Sequence, residues 1–279
     1  FMACMCPSGT KNNLNRGIYK SCNTYFSNVY RRIIDKDNKV EENINNWHKH
    51  LNSFGLGNYL GYDHPVGQPG YIPNANFYNL WYPNQRWRGS TIVSNAIGQG
   101  EILMTPIQLA NVAATIANRG FFYTPHFVKD VQGDFIDPKY KTKRATTISK
   151  EHFTNVIEGM ADVVSKGTAR VVAIRGIEVC GKTGTIENFT KIDGVRTQLT
   201  DHSVFIAFAP KDDPKIALAV IVENGYWGAR WAAPIASLVI EKYLSGEVKR
   251  TWLENRMLNG SLEEEYTKVT SNKPFTINE

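Results

Sequence analysis

The chain has 279 residues, 42% hydrophobic and 21% charged, which is a globular composition with length for one large core or two smaller ones. A formal net charge of +6 is too modest to imply a nucleic-acid partner. No apolar run reaches the length that spans a bilayer, and four cysteines are too few for a disulfide scaffold of this size.

In chain order, residues 1–20 read as irregular and polar. Cys4 and Cys6 form a Cys-x-Cys pair without the further ligands a metal site needs. Ser21-Cys22-Asn23-Thr24 precedes Phe26, Val29, Tyr30 and Ile33, which recur at helical spacing; Ser21 or Asn23 is the expected N-cap. A charged helical stretch from Lys39 to Leu51 ends before Phe54-Gly55-Leu56-Gly57. Residues 55–100 read as loops rich in aromatics, which either pack on a core or line a groove.

Thr105-Pro106 has the residues of an N-cap and first helical position. Leu109, Val112, Ala113 and Ile116 form the expected buried stripe, and Gly120 the stop. Gly133-Asp134 marks a small hairpin within Phe121 to Asp137. A helix begins at Ser149, with Phe153, Val156, Ile157, Met160 and Val163 on its core face. Ser203 to Ala209 and Ile216 to Val222 are apolar runs of strand length joined by Pro210-Lys211-Asp212-Asp213-Pro214, the pattern of a hairpin. Pro234, Ile235, Leu238, Val239 and Tyr243 mark a closing helix, and residues 246–279 read as a polar tail after a domain of residues 1–245. Cys22 and Cys180 are expected to be buried thiols.

The chemistry centres on Cys180-Gly181-Lys182-Thr183-Gly184-Thr185. On a strand, Lys182 and Gly184 share one face and Thr183 and Thr185 the other. Gly184 leaves the backbone bare for close approach. A cation, hydroxyls and amides along one strand edge suit an extended peptide ending in a carboxylate. Asp201-His202 invites a Ser-His-Asp reading. As strand neighbours the two face opposite sides, so a hydrogen-bonding role at the strand entry is expected. His48 and His50 do not share a helical face and make a poor metal pair.

Ser21-Cys22-Asn23, followed by Lys182-Thr183-Gly184, resembles two of the three motifs of the penicillin-binding proteins, Ser-x-Asn and Lys-Thr-Gly. Ile97-Gly98-Gln99-Gly100, Thr105-Pro106-Ile107-Gln108-Leu109-Ala110, Asn118-Arg119-Gly120, Glu223-Asn224-Gly225 and Trp231-Ala232-Ala233-Pro234 continue the likeness. Together they resemble the class B transpeptidases of the penicillin-binding protein 2 group, with details similar to the Bacteroidetes form. The third motif, Ser-x-x-Lys, has one literal match, Ser8-Gly9-Thr10-Lys11. It leads into Asn12-Asn13 rather than an apolar helical stripe and reads as a loop. The chain is therefore expected to be a C-terminal portion of such a domain, lacking the nucleophile segment and inactive by itself.

The resemblance implies an α+β fold of the penicillin-binding protein and serine β-lactamase type, an antiparallel sheet packed by helices. It implies a D,D-transpeptidase that cross-links D-Ala-D-Ala stem peptides of peptidoglycan through an acyl-enzyme, is trapped by β-lactam antibiotics and needs no cofactor or metal. It assigns Ser21 to proton relay toward the leaving amine, Asn23 to the substrate amide, and Lys182 to holding that relay and attracting the carboxylate. Thr183 and Thr185 would bind the carboxylate beside Gly184, and the Thr185 amide would serve the oxyanion hole. It further implies a periplasmic domain of an inner-membrane-anchored protein working with a membrane-embedded elongation glycosyltransferase. A serine β-lactamase, a β-lactam sensor and a non-enzymatic peptidoglycan-binding scaffold are the alternatives.

Overall fold

The computed structural model describes residues 11–130 and 136–270. Two compact units part between Gly159 and Met160. The Cys4–Cys6 pair, Ser8 and the Gly133-Asp134 turn lie outside the described residues.

The first unit opens with α1 (Leu14–Tyr19), where an irregular stretch was expected. Asn13 caps it, its side chain accepting from the Arg16 amide at 2.9 Å. Then follow α2 (Asn23–Ile34), α3 (Val40–Ser53) and α4 (Ala75–Trp81). The buried face of α2 carries Tyr30 and Ile34, one turn apart, whereas Val29 and Ile33 are exposed. The stripe expected from the sequence is thus rotated, because the core partners Ile44, Tyr78, Trp87 and Ile92 sit under the Tyr30–Ile34 row. The aromatic segment splits accordingly. Tyr78 and Trp87 are core residues, while Trp81 and Tyr82 are exposed. Helix α4 within it starts at Asn74, whose side chain accepts from the Phe77 amide at 3.1 Å.

Helix α5 (Pro106–Ala117) has the expected start, a capping box between Thr105 and Gln108. Of the predicted apolar stripe, Ala113 is fully buried while Leu109, Val112 and Ile116 are half-buried, and beside Ala113 the deeply buried positions include the polar Gln108, Asn111 and Thr115. Gln108 Nε2 donates to the carbonyls of Pro69 (2.8 Å) and Asn58 (3.0 Å), with Gly55 O at 3.3 Å. Asn111 Nδ2 donates to Phe54 O at 2.9 Å. The helix therefore buries polar side chains because a loop lies against it whose carbonyls need donors. After Gly120, β1 (Phe121–Phe122) pairs antiparallel with β2 (Arg144–Ala145).

Helix α6 (Glu151–Ser165) follows its sequence pattern. Phe153, Ile157, Met160 and Val163 are buried, and Lys150, Glu151 and Glu158 are exposed.

The second unit is built on a three-stranded antiparallel sheet. Its strands are β3 (Cys180–Ile186), β6 (His202–Ala209) and β7 (Ile216–Val222), in the order β3-β6-β7. Between β3 and β6 stands a hairpin, β4 (Phe189–Ile192) with β5 (Val195–Gln198), that sequence reading passed over. Its signal was present: Asp193-Gly194 between Ile192 and Val195, both turn residues now at positive φ.

Helix α7 (Ala232–Ser245) packs on β6 and β7. Its buried face is Ala233, Ala236, Ser237, Ile240 and Glu241, and the predicted core residues Val239 and Tyr243 are exposed. Small side chains let the helix lie close to the sheet, with Ile240 kept inside while Val239 and Tyr243 fall outside the contact.

The stretch 246–279, read as a polar tail, carries α8 (Thr251–Leu258) and α9 (Glu263–Thr270). Leu253 and Glu265 are fully buried, and Arg250 donates to Glu241 Oε2 at 3.0 Å.

Candidate functional site

Lys182, Thr183, Gly184 and Thr185 lie on β3, an edge strand of the β3-β6-β7 sheet, in antiparallel register with Ile206, Phe205, Val204 and Ser203. Directly opposed residues share a face, so Lys182 and Gly184 stand with Ile206 and Val204, and the threonines with Phe205 and Ser203. Ser203 Oγ accepts from the Ala232 amide at 3.1 Å, which identifies the threonine face as the one α7 covers. The outer edge of β3 carries no strand among the described residues, the condition for adding an extended peptide.

Two glycines set how β3 sits. Gly181 lies under the fully buried Phe205, whose ring occupies the space of any β-carbon there. At Gly184 the close approach expected from the sequence comes from within the protein. A β-carbon at Gly228 would lie 2.5 Å from Gly184 O and 3.0 Å from Gly184 N. Gly228 belongs to the loop after β7, which Ser203 Oγ ties down by donating to Trp227 O at 2.8 Å. Farther along that loop, Arg230 Nε and Trp231 Nε1 both donate to Glu265 Oε1, the latter at 3.2 Å. Helix α9 thus braces the loop that backs the motif strand.

Lys182 is half-buried, and its Nζ donates to Thr183 O at 2.7 Å. Burial pushes its pKa from the ordinary 10.5 down to about 8, because desolvation penalises the ammonium. Thr183 Oγ1 lies 2.8 Å from Thr168 Oγ1, in the loop that follows α6.

Asp201 and His202 serve the turns around β6. Asp201 Oδ1 accepts from the Asn188 amide at 3.3 Å, and His202 Nδ1 accepts from the Asn224 amide at 3.0 Å. With Nδ1 engaged as an acceptor by a backbone N–H, no carboxylate orients this ring from that nitrogen. Burial raises the Asp201 pKa above the usual carboxylate range.

Ser21 and Asn23 belong to the first unit. Ser21 forms the turn between α1 and α2 at a φ of +51°, a left-handed conformation uncommon outside glycine. Its amide donates to Ile18 O at 3.0 Å. The N-cap of α2 is neither Ser21 nor Asn23 but Cys22, whose side chain makes no capping bond. Cys22 is fully buried, with Asn12 Nδ2 at 3.5 Å from its Sγ, while Ser21 and Asn23 on either side are half-buried. The turn closes this tightly because Gly17 has no side chain. A β-carbon there would meet the Tyr25 ring at 2.7 Å. Cys180 is likewise fully buried, so both described thiols are core residues. Among the described residues no cluster of three or more His, Cys, Asp or Glu is placed to hold a metal.

Comparison with known proteins gives one consistent family. The model of the penicillin binding protein transpeptidase domain matches residues 6–241. The peptidoglycan D,D-transpeptidase MrdA of Acinetobacter baumannii is 31% identical over 265 residues, covering 90% of this chain and 37% of that protein. Among solved structures, Pseudomonas aeruginosa PBP2 in complex with WCK 5153 aligns at a TM-score of 0.69 and 30% identity, over 86% of this chain and 52% of that one. Helicobacter pylori PBP2 complexed with MreC aligns at 0.62 and 28% identity, over 84% and 40%. The chain therefore spans little more than a third of the curated relative's length.

Proposed function

Since this chain belongs to the penicillin-binding protein transpeptidase domain family, we propose that it serves a D,D-transpeptidase of the penicillin-binding protein 2 type, cross-linking peptidoglycan stem peptides. The observation that carries this reading is the motif strand: an edge that carries no further strand among the described residues, with a desolvated lysine and two threonines along it. In the proposed reaction a serine Oγ forms a bond to the penultimate D-Ala carbonyl carbon, and the C–N bond to the terminal D-Ala breaks. The leaving amine takes a proton, and an amine of a neighbouring strand then displaces the serine.

Ser21 is the proposed relay of that proton, and its constrained turn supports the assignment. Asn23 is proposed to donate to the substrate amide. Lys182, still largely protonated at neutral pH with a pKa of about 8, is proposed to hold the relay and draw in the terminal carboxylate. Thr183 and Thr185 would bind that carboxylate beside Gly184, and the Thr185 amide would stabilise the oxyanion. The attacking serine is assigned to a Ser-x-x-Lys segment. Lys11 precedes the N-cap of α1 rather than lying within a helix, which weighs against Ser8 in that role. No cofactor is assigned.

The setting we propose is the periplasmic face of the bacterial inner membrane, with β-lactams as inhibitors and an elongation glycosyltransferase as partner. Support comes from the relatives: one H. pylori PBP2 is complexed with MreC, and another similar structure belongs to a peptidoglycan synthase complex. Among the described residues no helix is long and apolar enough to cross a membrane.

The test is labelling by fluorescent penicillin, read by intact mass. A longer protein carrying this chain and an upstream Ser-x-x-Lys should form a stable one-to-one adduct, and Lys182→Ala should slow it by about a hundredfold or more, the cost of losing a group that acts on the reacting centre. An unlabelled protein defeats the proposal, and rapid turnover of the adduct reassigns it to a β-lactamase. The 279-residue chain alone is expected to stay unlabelled; an adduct on Ser8 would overturn the loop reading.

A further inference from the structure

Thr168 has no role in the reading above, yet its hydroxyl lies against a motif side chain. Thr168 Oγ1 and Thr183 Oγ1 are 2.8 Å apart. Thr168 is held there by its neighbour. Ala169 is fully buried, and its amide donates to Val163 O at 3.0 Å, locking the loop to the end of α6. Thr168 itself is exposed, so the pair sits at the surface where a ligand reaches it.

Two hydroxyls at this distance share one hydrogen bond, and each has a single proton. If Thr183 donates to Thr168, its proton is committed and it turns only lone pairs toward an incoming anion. If Thr168 donates to Thr183, the Thr183 proton is free for a carboxylate, and the accepted bond polarises that hydroxyl further. A carboxylate on β3 selects the second arrangement.

We infer that Thr168 is a positioning residue for carboxylate recognition: donating to Thr183 Oγ1, it directs the Thr183 proton toward a substrate carboxylate seated on β3. The inference rests on the reading of β3 as the stem-peptide site and adds to it the residue that sets the donor direction.

The test uses the longer protein and two noncovalent probes, acetyl-D-alanyl-D-alanine and its C-terminal amide, with affinities measured by ligand-observed NMR. Wild type should prefer the acid. Thr168→Val, which keeps the shape and removes the donor, should weaken acid binding about three- to tenfold, the scale of one neutral hydrogen bond. The amide should be unaffected. Thr168→Ser should restore the preference, and Thr168→Val should add nothing in a Thr183→Val background.

Equal losses for both probes, failure of serine to rescue, or additive effects would overturn the inference. A wild type indifferent to the carboxylate would overturn it too. None of these readouts requires acylation. A protein that labels with penicillin yet ignores Thr168 refutes this inference alone, whereas one that fails to label refutes the transpeptidase reading.

Discussion

The loop of residues 54–70 and the β3-β6-β7 sheet are both held against a buried helix, by opposite means. On the sheet, α7 packs on β6 and β7 with Ala233, Ala236 and Ile240 buried, Phe205 and Ala207 of β6 are buried too, and backbone polar groups are satisfied by the ladder itself. The loop has no ladder. Its carbonyls at Phe54, Asn58 and Pro69 are met by side-chain amides of α5, from Asn111 and Gln108. A segment without regular structure can lie against a core only if something else supplies its donors, and here a helix buries its polar face to do so.

Phe205→Ala is expected to have the largest effect, roughly 3–5 kcal/mol of unfolding free energy, since it opens a cavity under Gly181 where Phe205 is fully buried. Chemical denaturation measures it, and a loss below about 1 kcal/mol would show that the sheet is not centred on that ring. Gln108→Leu keeps the bulk and removes the amide, leaving loop carbonyls unmet; roughly 2–3 kcal/mol should be lost. The location sharpens the contrast more than the size does. Amide exchange should accelerate within residues 54–70 for Gln108→Leu and not for Phe205→Ala. Equal acceleration in both would mean the loop is carried by the general core.

Lys182 lies between these regimes, a charge on a largely apolar sheet. Its folded pKa of about 8 is below the ordinary 10.5. Between those values the unfolded chain binds the proton and the folded chain does not, so this lysine makes stability rise with pH across that window. The slope is at most about 1.4 kcal/mol per pH unit for one proton. Below about pH 8 the full cost of burying the ammonium remains. Lys182→Met should flatten the rise and be more stable than wild type at neutral pH; an unchanged slope would show the ammonium is solvated. The smallest effect expected is from Thr105→Ala, about 1 kcal/mol for a lost N-cap, with Gln108 keeping its hold on the loop. Loosening of residues 54–70 in that variant would mean the capping box, not the amide, positions the loop.

The amino-acid sequence by itself determined the elements whose patterns are periodic and local. The apolar runs of β6 and β7, the Thr105-Pro106 start of α5 and the 3.6-residue stripe of α6 were legible because burial there follows the chain's own repeat. The Lys-Thr-Gly strand was legible in the same way, and its edge position followed from the hairpin beside it. The Asp193-Gly194 hairpin carries an equally local signal.

What only the tertiary structure decided depends on partners distant in sequence. Nothing local distinguishes the Gln108 that holds three stretches of loop from a solvated glutamine, or marks Ile34 as core and Ile33 as surface. Nothing local in the charged stretch after Gly246 announces that Glu265 will be fully buried against Arg230 and Trp231. Thr168 beside Thr183 and Gly228 against Gly184 are meetings of the same kind. Periodicity records which face of an element is apolar, but a hydrogen bond or a close backbone approach needs both partners in place, and the fold alone brings them together.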